Sequence, residues 1–393
     1  MKKLVIFVIF ISLLVVAIGC SKRKGIPTSF DENNSPTLTI TKTQDATPTL
    51  TRTPANTSTA SAQITATATQ INSVTFTVTI TYTPTDVLVP TGTMTATITF
   101  TAVSGSVWVQ ATGSAAFSTR SAHASLVFNN LMWVIGGFGL SSWKNDVWKS
   151  SDGTSWAQVT PVSVFTRRGN FASLTFNNMM WVMGGNTPAS INDVWNSVDG
   201  ATWTCVTGTA NFSGRQGLSG VVYNNQMWVI GGEDMGANCL NDVWNSSDGI
   251  TWTSVTGTAE FGGRLDHSSL VYNNKLWVIG GNEWGVLKND VWNSSDGVTW
   301  TQVTGAAGFR PRYAHTSLVY NNQMWVIGGS DYNPNAFNDI WYSNDGITWI
   351  EATSIAPFTA RGFHSSVVYN NFMWVIAGFD GNATDFNDVW HSQ

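Results

Sequence analysis

Charge is scarce in this 393-residue chain: only 11% of its residues are Asp, Glu, Lys or Arg, and the formal net charge is -5. With no basic stripe, nucleic acid is excluded as a partner. Cysteine is scarcer still. Three residues, Cys20, Cys205 and Cys239, cannot build a disulfide framework, and Cys205 and Cys239 are expected to remain unbonded. No segment competes for a helical apolar period. No two histidines stand at metal-ligand spacing, so neither a metal nor a cofactor is expected. Tryptophan is missing from the first 107 residues and then abundant, with all 20 at or after Trp108.

The N-terminal end reads as an export signal. "MKK" is followed by the apolar run Leu4 to Ile18, too short for a comfortable membrane span. It closes on "AIGC", residues 17–20, which resembles the bacterial lipobox, with Ala17 where that family usually has Leu. The resemblance implies that residues 1–20 are a lipoprotein signal peptide and that Cys20 is lipidated. The chain would then be anchored to a membrane of the bacterial cell envelope, facing the periplasm or the outside. Several acyl chains hold stably where one is marginal. An uncleaved apolar anchor would tether the chain from the same end. Residues 21–105 are rich in Thr, Ser, Pro and Ala. They carry too little apolar surface to offset the entropy of ordering, so a disordered stalk is expected, reaching roughly 50 Å as a flexible coil. Two patches inside it, "VTFTVTITYT" and "MTATITFTA", alternate as strands do.

Internal repetition organises residues 106–393. Gly pairs recur every 47 to 49 residues, from Gly136-Gly137 to Gly328-Gly329 and then as Ala377-Gly378. "NDVW" or "NDIW" recurs in step from Asn145 to Asn387. Each unit holds two apolar, β-rich runs joined by Asn-Asn, a variable loop, and two more runs joined by an Asp-Gly turn, both hairpin signals. Six such units predict an all-β fold, a six-bladed β-propeller of four-stranded antiparallel blades. The sixth unit stops after its third strand, at "NDVWHSQ", whereas "SVWVQATGSAAF" from Ser106 matches only the end of a unit. The N-terminal strand is therefore expected to complete the last blade and close the ring, which removes two open sheet edges.

The units resemble Kelch repeats, on the paired Gly ending the second strand, an aromatic in the third and a Trp in the fourth. Third strands carry Trp in place of the usual Tyr. The following turn, "SSDGITW", is similar to the Asp-box hairpin of sialidase-type propellers with one residue missing between Asp and Gly. Eighteen Trp fall at template positions, among them Trp108 in the split blade. A residue repeated in every blade is a packing residue, each worth roughly 2–3 kcal/mol when buried. His123, His267, His315 and His364 share one position with Phe171 and Leu218, which also reads as packing.

Antiparallel connectivity puts the constant Asn-Asn and Asp-Gly turns on one face. The other face carries loops that differ in every blade, where binding usually sits. Trp143 and Trp284, both off template, lie in those loops with Tyr332 and the acidic Glu233, Glu283 and Asp331. Aromatic platforms beside carboxylates suit sugars. One Arg per blade, Arg120, Arg168, Arg215, Arg264, Arg312 and Arg361, sits at the between-blade connection. Kelch-like propellers often bind acidic peptides or sugars with Arg at such connections, so the resemblance implies a ring at the channel mouth; six-fold repetition points instead to scaffold. Arg167 and Arg310 have no counterparts and are ligand candidates in their own right. No catalytic constellation is evident. The expectation is a monomeric, membrane-tethered binding module for a glycan or protein. An enzyme on acidic sugars, similar to Kelch-like sialic-acid mutarotases, and a structural cell-surface spacer are the alternatives.

Overall fold

The computed structural model describes residues 60–70, 73–82, 92–101, 105–139, 141–332 and 336–393. The chain divides into two units, residues 1–101 and 102–393. The export segment and Cys20 lie outside the described residues.

In the first unit, Ala60–Gln70, Ser73–Tyr82 and Gly92–Thr101 pair in that order as an antiparallel sheet. The second and third of these strands fall on the two patches of the Thr-rich stretch that alternate as strands do. The cause lies in threonine: its branched Cβ stiffens χ1 and favours the extended chain, and the sequence alternates it with Val, Ile and Phe.

The second unit is a six-bladed β-propeller. Blade 4 gives the plan: Ser268–Tyr272, Lys275–Glu283, Val286–Ser294 and Thr301–Thr304 pair in sequence order. Blade 6 is split as expected. Its strands Ser365–Tyr369, Phe372–Phe379 and Asp385–Ser392 are completed by Trp108–Thr112, with Ser392 opposite Trp108. Asn387 clamps the incoming chain by donating to the carbonyls of Ala115 and Phe117, as Asn289 does within blade 4 to Ala307 and Phe309.

The turns follow from their side chains. All twelve residues of the Asn-Asn pairs have φ between 47° and 60°, the left-handed region asparagine tolerates and a two-residue hairpin of this twist requires. In the Asp-Gly turns one carboxylate oxygen gathers two amides: Asp296 Oδ1 accepts from Val298 and Thr299 at 2.8 and 2.9 Å. The amides of Ser155 and Thr154 in the equivalent turn hold the Asp152 carboxyl down at about 2.

The core lies between blades. Each apolar cluster joins two neighbouring sheets; Trp277 of blade 4, for example, packs in one cluster with Met324 and Val326 of blade 5. The second-strand tryptophans are 0–4% exposed, and each donates its indole N–H to the carbonyl five residues earlier. Burying such a ring with its polar handle satisfied avoids the cost of an orphaned donor.

Backbone hydrogen bonds sew every seam in the same way. At the seam between blades 6 and 1, Arg120 N donates to Phe386 O, Gly378 N to Arg120 O, and Ala122 N to Phe363 O, at 2.8 to 2.9 Å. The second of these needs the glycine. Gly378 has φ 112°, and a Cβ there would meet the Cβ of His364 at 2.7 Å. The third belongs to a closed circuit. Asn170 donates to Ala122, Gly217 to Asn170, Asp266 to Gly217, Ala314 to Asp266, Phe363 to Ala314, and Ala122 back to Phe363. All six residues have φ between 51° and 60°.

Candidate functional site

The face of blade connections and second-to-third-strand loops surrounds the channel mouth. Below the hydrogen-bonded circuit, a cavity of about 240 Å³ runs between the first strands, lined by Asn170, Asp266, Phe363 and the hydroxyls of Ser125, Ser173 and Ser269 among others.

The six arginines do not open onto this mouth. Each is 0–1% exposed and turned into its own blade. Arg264 is typical. Its guanidinium meets both carboxylate oxygens of Asp290 at 2.7 and 3.1 Å and donates to the carbonyls of Gly280 and Gly262. It also lies 5.5 Å from the ring centre of Phe261. Asp290 accepts the indole N–H of Trp292 as well. The same Arg–Asp–Trp set recurs in all six blades. Of the two readings of these arginines, the pairing matches the scaffold role to which six-fold repetition pointed, and the channel-mouth ring for anions is corrected. Their donors are spent, because a buried charge must be paired in place. The position beside the between-blade connection was right; the direction of the side chain was not legible from spacing.

The histidines are wedged in the seams. His267 Nε2 is 2.8 Å from Ser219 Oγ, and His315 Nε2 is 2.8 Å from Ser268 Oγ. Burial pushes His267 and His364 down to about 3 and the other two well below the ordinary value, with neighbouring Arg adding to it.

The loop candidates separate into three groups. Trp143 is half-buried. It packs edge-on to Phe138 at 4.8 Å and covers Gly169, where a Cβ would fall 2.4 Å from the indole. The scaffold takes up part of its surface, and the residue also lines a cavity over blade 1.

Trp284 and Tyr332 are presented to solvent, at 61% and 51% exposure. Trp284 and Gly285 form the two-residue turn between paired residues Glu283 and Val286, with φ of 51° and 84°. Such a turn prefers Asn-Gly; a tryptophan held at positive φ is a costly exception. Its amide lies 3.5 Å from Cys239 Sγ, and Cys205 and Cys239 are free thiols. Tyr332, also at positive φ (72°), stacks on Tyr313 at 4.7 Å, and Tyr313 meets Phe363 at 5.6 Å. An aromatic run thus leads from the loop of blade 5 to the channel mouth. Glu283 pairs with Lys288 at 2.5 Å, Glu233 accepts from Gln216 at 2.8 Å, and Asp331 precedes Tyr332 on the blade 5 loop.

Arg310 and Arg167 are exposed. Arg310 lies 6.0 Å from the ring centre of Phe337. Arg167 borders a second cavity, of about 230 Å³, over blade 1.

Asp266 is a residue the candidate set missed. It is one of the six circuit residues, the others being Ala122, Asn170, Gly217, Ala314 and Phe363, and the only one that carries charge. Burial, with the nearby Glu233 carboxylate, pushes its carboxyl up to about 7. The signal was available: aligning the units two residues past each buried Arg places one acid among five uncharged residues. Among the described residues no group of three His, Cys, Asp or Glu converges as a metal site.

Comparison with known proteins places this geometry in context. A family model described as the DUF6242 beta propeller domain matches residues 169–295 and 285–393, together more than half of the chain. Among solved structures, "Structure of YjhT" superposes with a TM-score of 0.60 at 14% identity, covering 71% of this chain and 96% of that one. That likeness is one of fold. No curated protein matches.

Proposed function

The chain belongs to the DUF6242 beta propeller family, and from that premise we propose that it is a binding module whose loop face takes up a glycan. The observation that carries this is the Trp284 turn. A tryptophan stands at positive φ, 61% exposed, at a position where asparagine would relieve the backbone. An exposed aromatic kept on a strained turn supports a ligand contact there. Trp284 and the Tyr332–Tyr313 pair provide flat apolar contact, and the carboxylates of Glu233 and Glu283 provide acceptors for sugar hydroxyls. A protein partner is the second occupant of the same face. The acidic-sugar enzyme is less well supported, since the arginines that would grip a carboxylate at the mouth are spent on Asp and carbonyl groups. A spacer has no use for the strained turn. We propose further that Cys20 tethers the module, as a monomer, to a bacterial envelope membrane.

The test combines affinity with stability. Trp284→Asn is expected to raise stability by about 1 kcal/mol while abolishing binding in a glycan array followed by titration calorimetry; Tyr332→Ala is expected to weaken binding. Undiminished binding in Trp284→Asn would sink the assignment. Capture of a protein in place of any glycan would transfer the face to the second occupant. For the tether, Cys20→Ala is expected to move the protein from the membrane to the soluble fraction; no movement would remove the lipid anchor.

A further inference from the structure

We infer that blade 1 carries an oxyanion-binding site, separate from the aromatic rim and on the same face. Over its third strand, Ser142–Ser150, lies the cavity of about 230 Å³, lined among others by Ser118, Ser142, Lys144, Asp146, Pro161 and Arg167. A water claims about 30 Å³ of liquid, so there is room for a charged group and the atoms that bear it.

The charge count decides what that group is. Asp146, the one carboxylate in the lining, is already matched. It accepts from Arg120 Nη1 and Nη2 at 2.9 and 2.8 Å and from the Trp148 indole at 2.7 Å. Lys144 Nζ donates to Ser142 Oγ at 3.1 Å. Neither Lys144 nor Arg167 forms an ion pair among the described residues. Two cations therefore border one polar cavity whose single carboxylate is already matched by Arg120 and Trp148.

The other blades show that the scaffold does not require this. At the position of Lys144, blade 4 has Lys288, neutralised by Glu283 at 2.5 Å. Blades 5 and 6 have Phe337 and Phe386, which cover Arg312 and Arg361 at 4.6 and 4.4 Å. Blades 2 and 3 have Ile191 and Leu240, and no other blade has an arginine at the position of Arg167. Blade 1 alone combines the open cavity with two uncompensated cations. A guanidinium offers a planar fork, an ammonium a point charge, and Ser118 and Ser142 supply hydroxyls; together they fit a carboxylate or sulfate ester. That this anion belongs to a glycan rests on the function proposed above; the site itself does not.

Affinity electrophoresis of the full chain in gels holding dextran, polygalacturonate or dextran sulfate tests it. With a net charge of -5, general attraction to a polyanion is unfavourable. Retardation is expected in polygalacturonate, dextran sulfate or both, beyond that in dextran, and the polymer that retards identifies the oxyanion. The double variant Lys144→Gln/Arg167→Gln is expected to lose affinity about tenfold or more. Lys275→Gln, which removes one positive charge at a turn of the opposite face, is expected to keep it. Equal retardation of the double variant and the parent, or no retardation by either polyanion, would overturn the site. Trp284→Asn in the same gels separates the two ideas. Anion binding that survives it leaves the blade 1 site standing without the aromatic rim; anion binding that disappears with Trp284 alone moves the site away from blade 1.

Discussion

Asp266 is the one ionisable side chain in the hydrogen-bonded circuit, and its energetics have a definite sign. Its carboxyl titrates at about 7 in the fold against an ordinary 3.8. Below pH 3.8 it is protonated folded or unfolded. Between those values the folded protein keeps a proton that the unfolded chain has released. Above 7 the fold must carry the charge beside Glu233, so the stabilising contribution is present at low pH and lost as pH rises through 7. Asparagine, which blade 2 already has at this position as Asn170, mimics the protonated form. Asp266→Asn is expected to gain on the order of 1 kcal/mol at pH 8, discounted for water in the channel, and nothing at pH 4. Melting midpoints of parent and variant across that range check it; a difference independent of pH would refute it. Residue identity was legible here and direction was not. Six arginines at one register were visible in the sequence, but only the fold shows Asp290 and its counterparts receiving them. Trp143 and Trp284 looked equivalent as off-template aromatics, yet one covers Gly169 and the other stands on a strained turn.

At the scale of the element, the turns carried most of the readable information. Asn-Asn and Asp-Gly located the hairpins because each has a local mechanism that does not depend on the rest of the ring. The same logic yields a test. Asn274 is the second residue of its turn at φ 54°, where glycine is favoured and a β-branched residue is strained. Asn274→Gly is expected to hold or raise the melting midpoint, and Asn274→Val to cost about 1–2 kcal/mol. Chemical denaturation of the two variants measures it, and equal stability would show that the turn is set by packing alone. In the Thr-rich segment composition and alternation point different ways. Its composition is that of a linker, but threonine counted with serine and proline hides a strand former, and the pairing of Ser73–Tyr82 with strands on both sides follows the alternation rather than the composition.

For the whole molecule, closure was legible because it is a matter of counting. Five complete units, one unit lacking its fourth strand and one unattached fourth strand leave a single arrangement. The structure adds how firmly it is made: register pairing of Trp108–Thr112 with the last strand, the Asn387 clamp, and Thr353 Oγ1 of blade 5 donating to Ser106 O at 2.8 Å. A chain starting at Arg120 is expected to lose its cooperative transition or aggregate, since it exposes the edge of Asp385–Ser392 and empties the slot of Trp108. A chain starting at Val103 is expected to melt like the full propeller. Calorimetry on both distinguishes them, and matching transitions would mean that the last blade needs no borrowed strand.

The circuit at the channel mouth also bears on what a ligand there would feel. Peptide groups aligned along a helix add their dipoles into a field at its end. The six here run head to tail around a circle, each N–H pointing at the carbonyl of the preceding blade, so their moments cancel. The mouth is ringed by backbone and yet presents almost no axial polarity of its own. Asp266 is the one charged side chain the circuit itself contributes, so the charge of that ring would change with a single side chain.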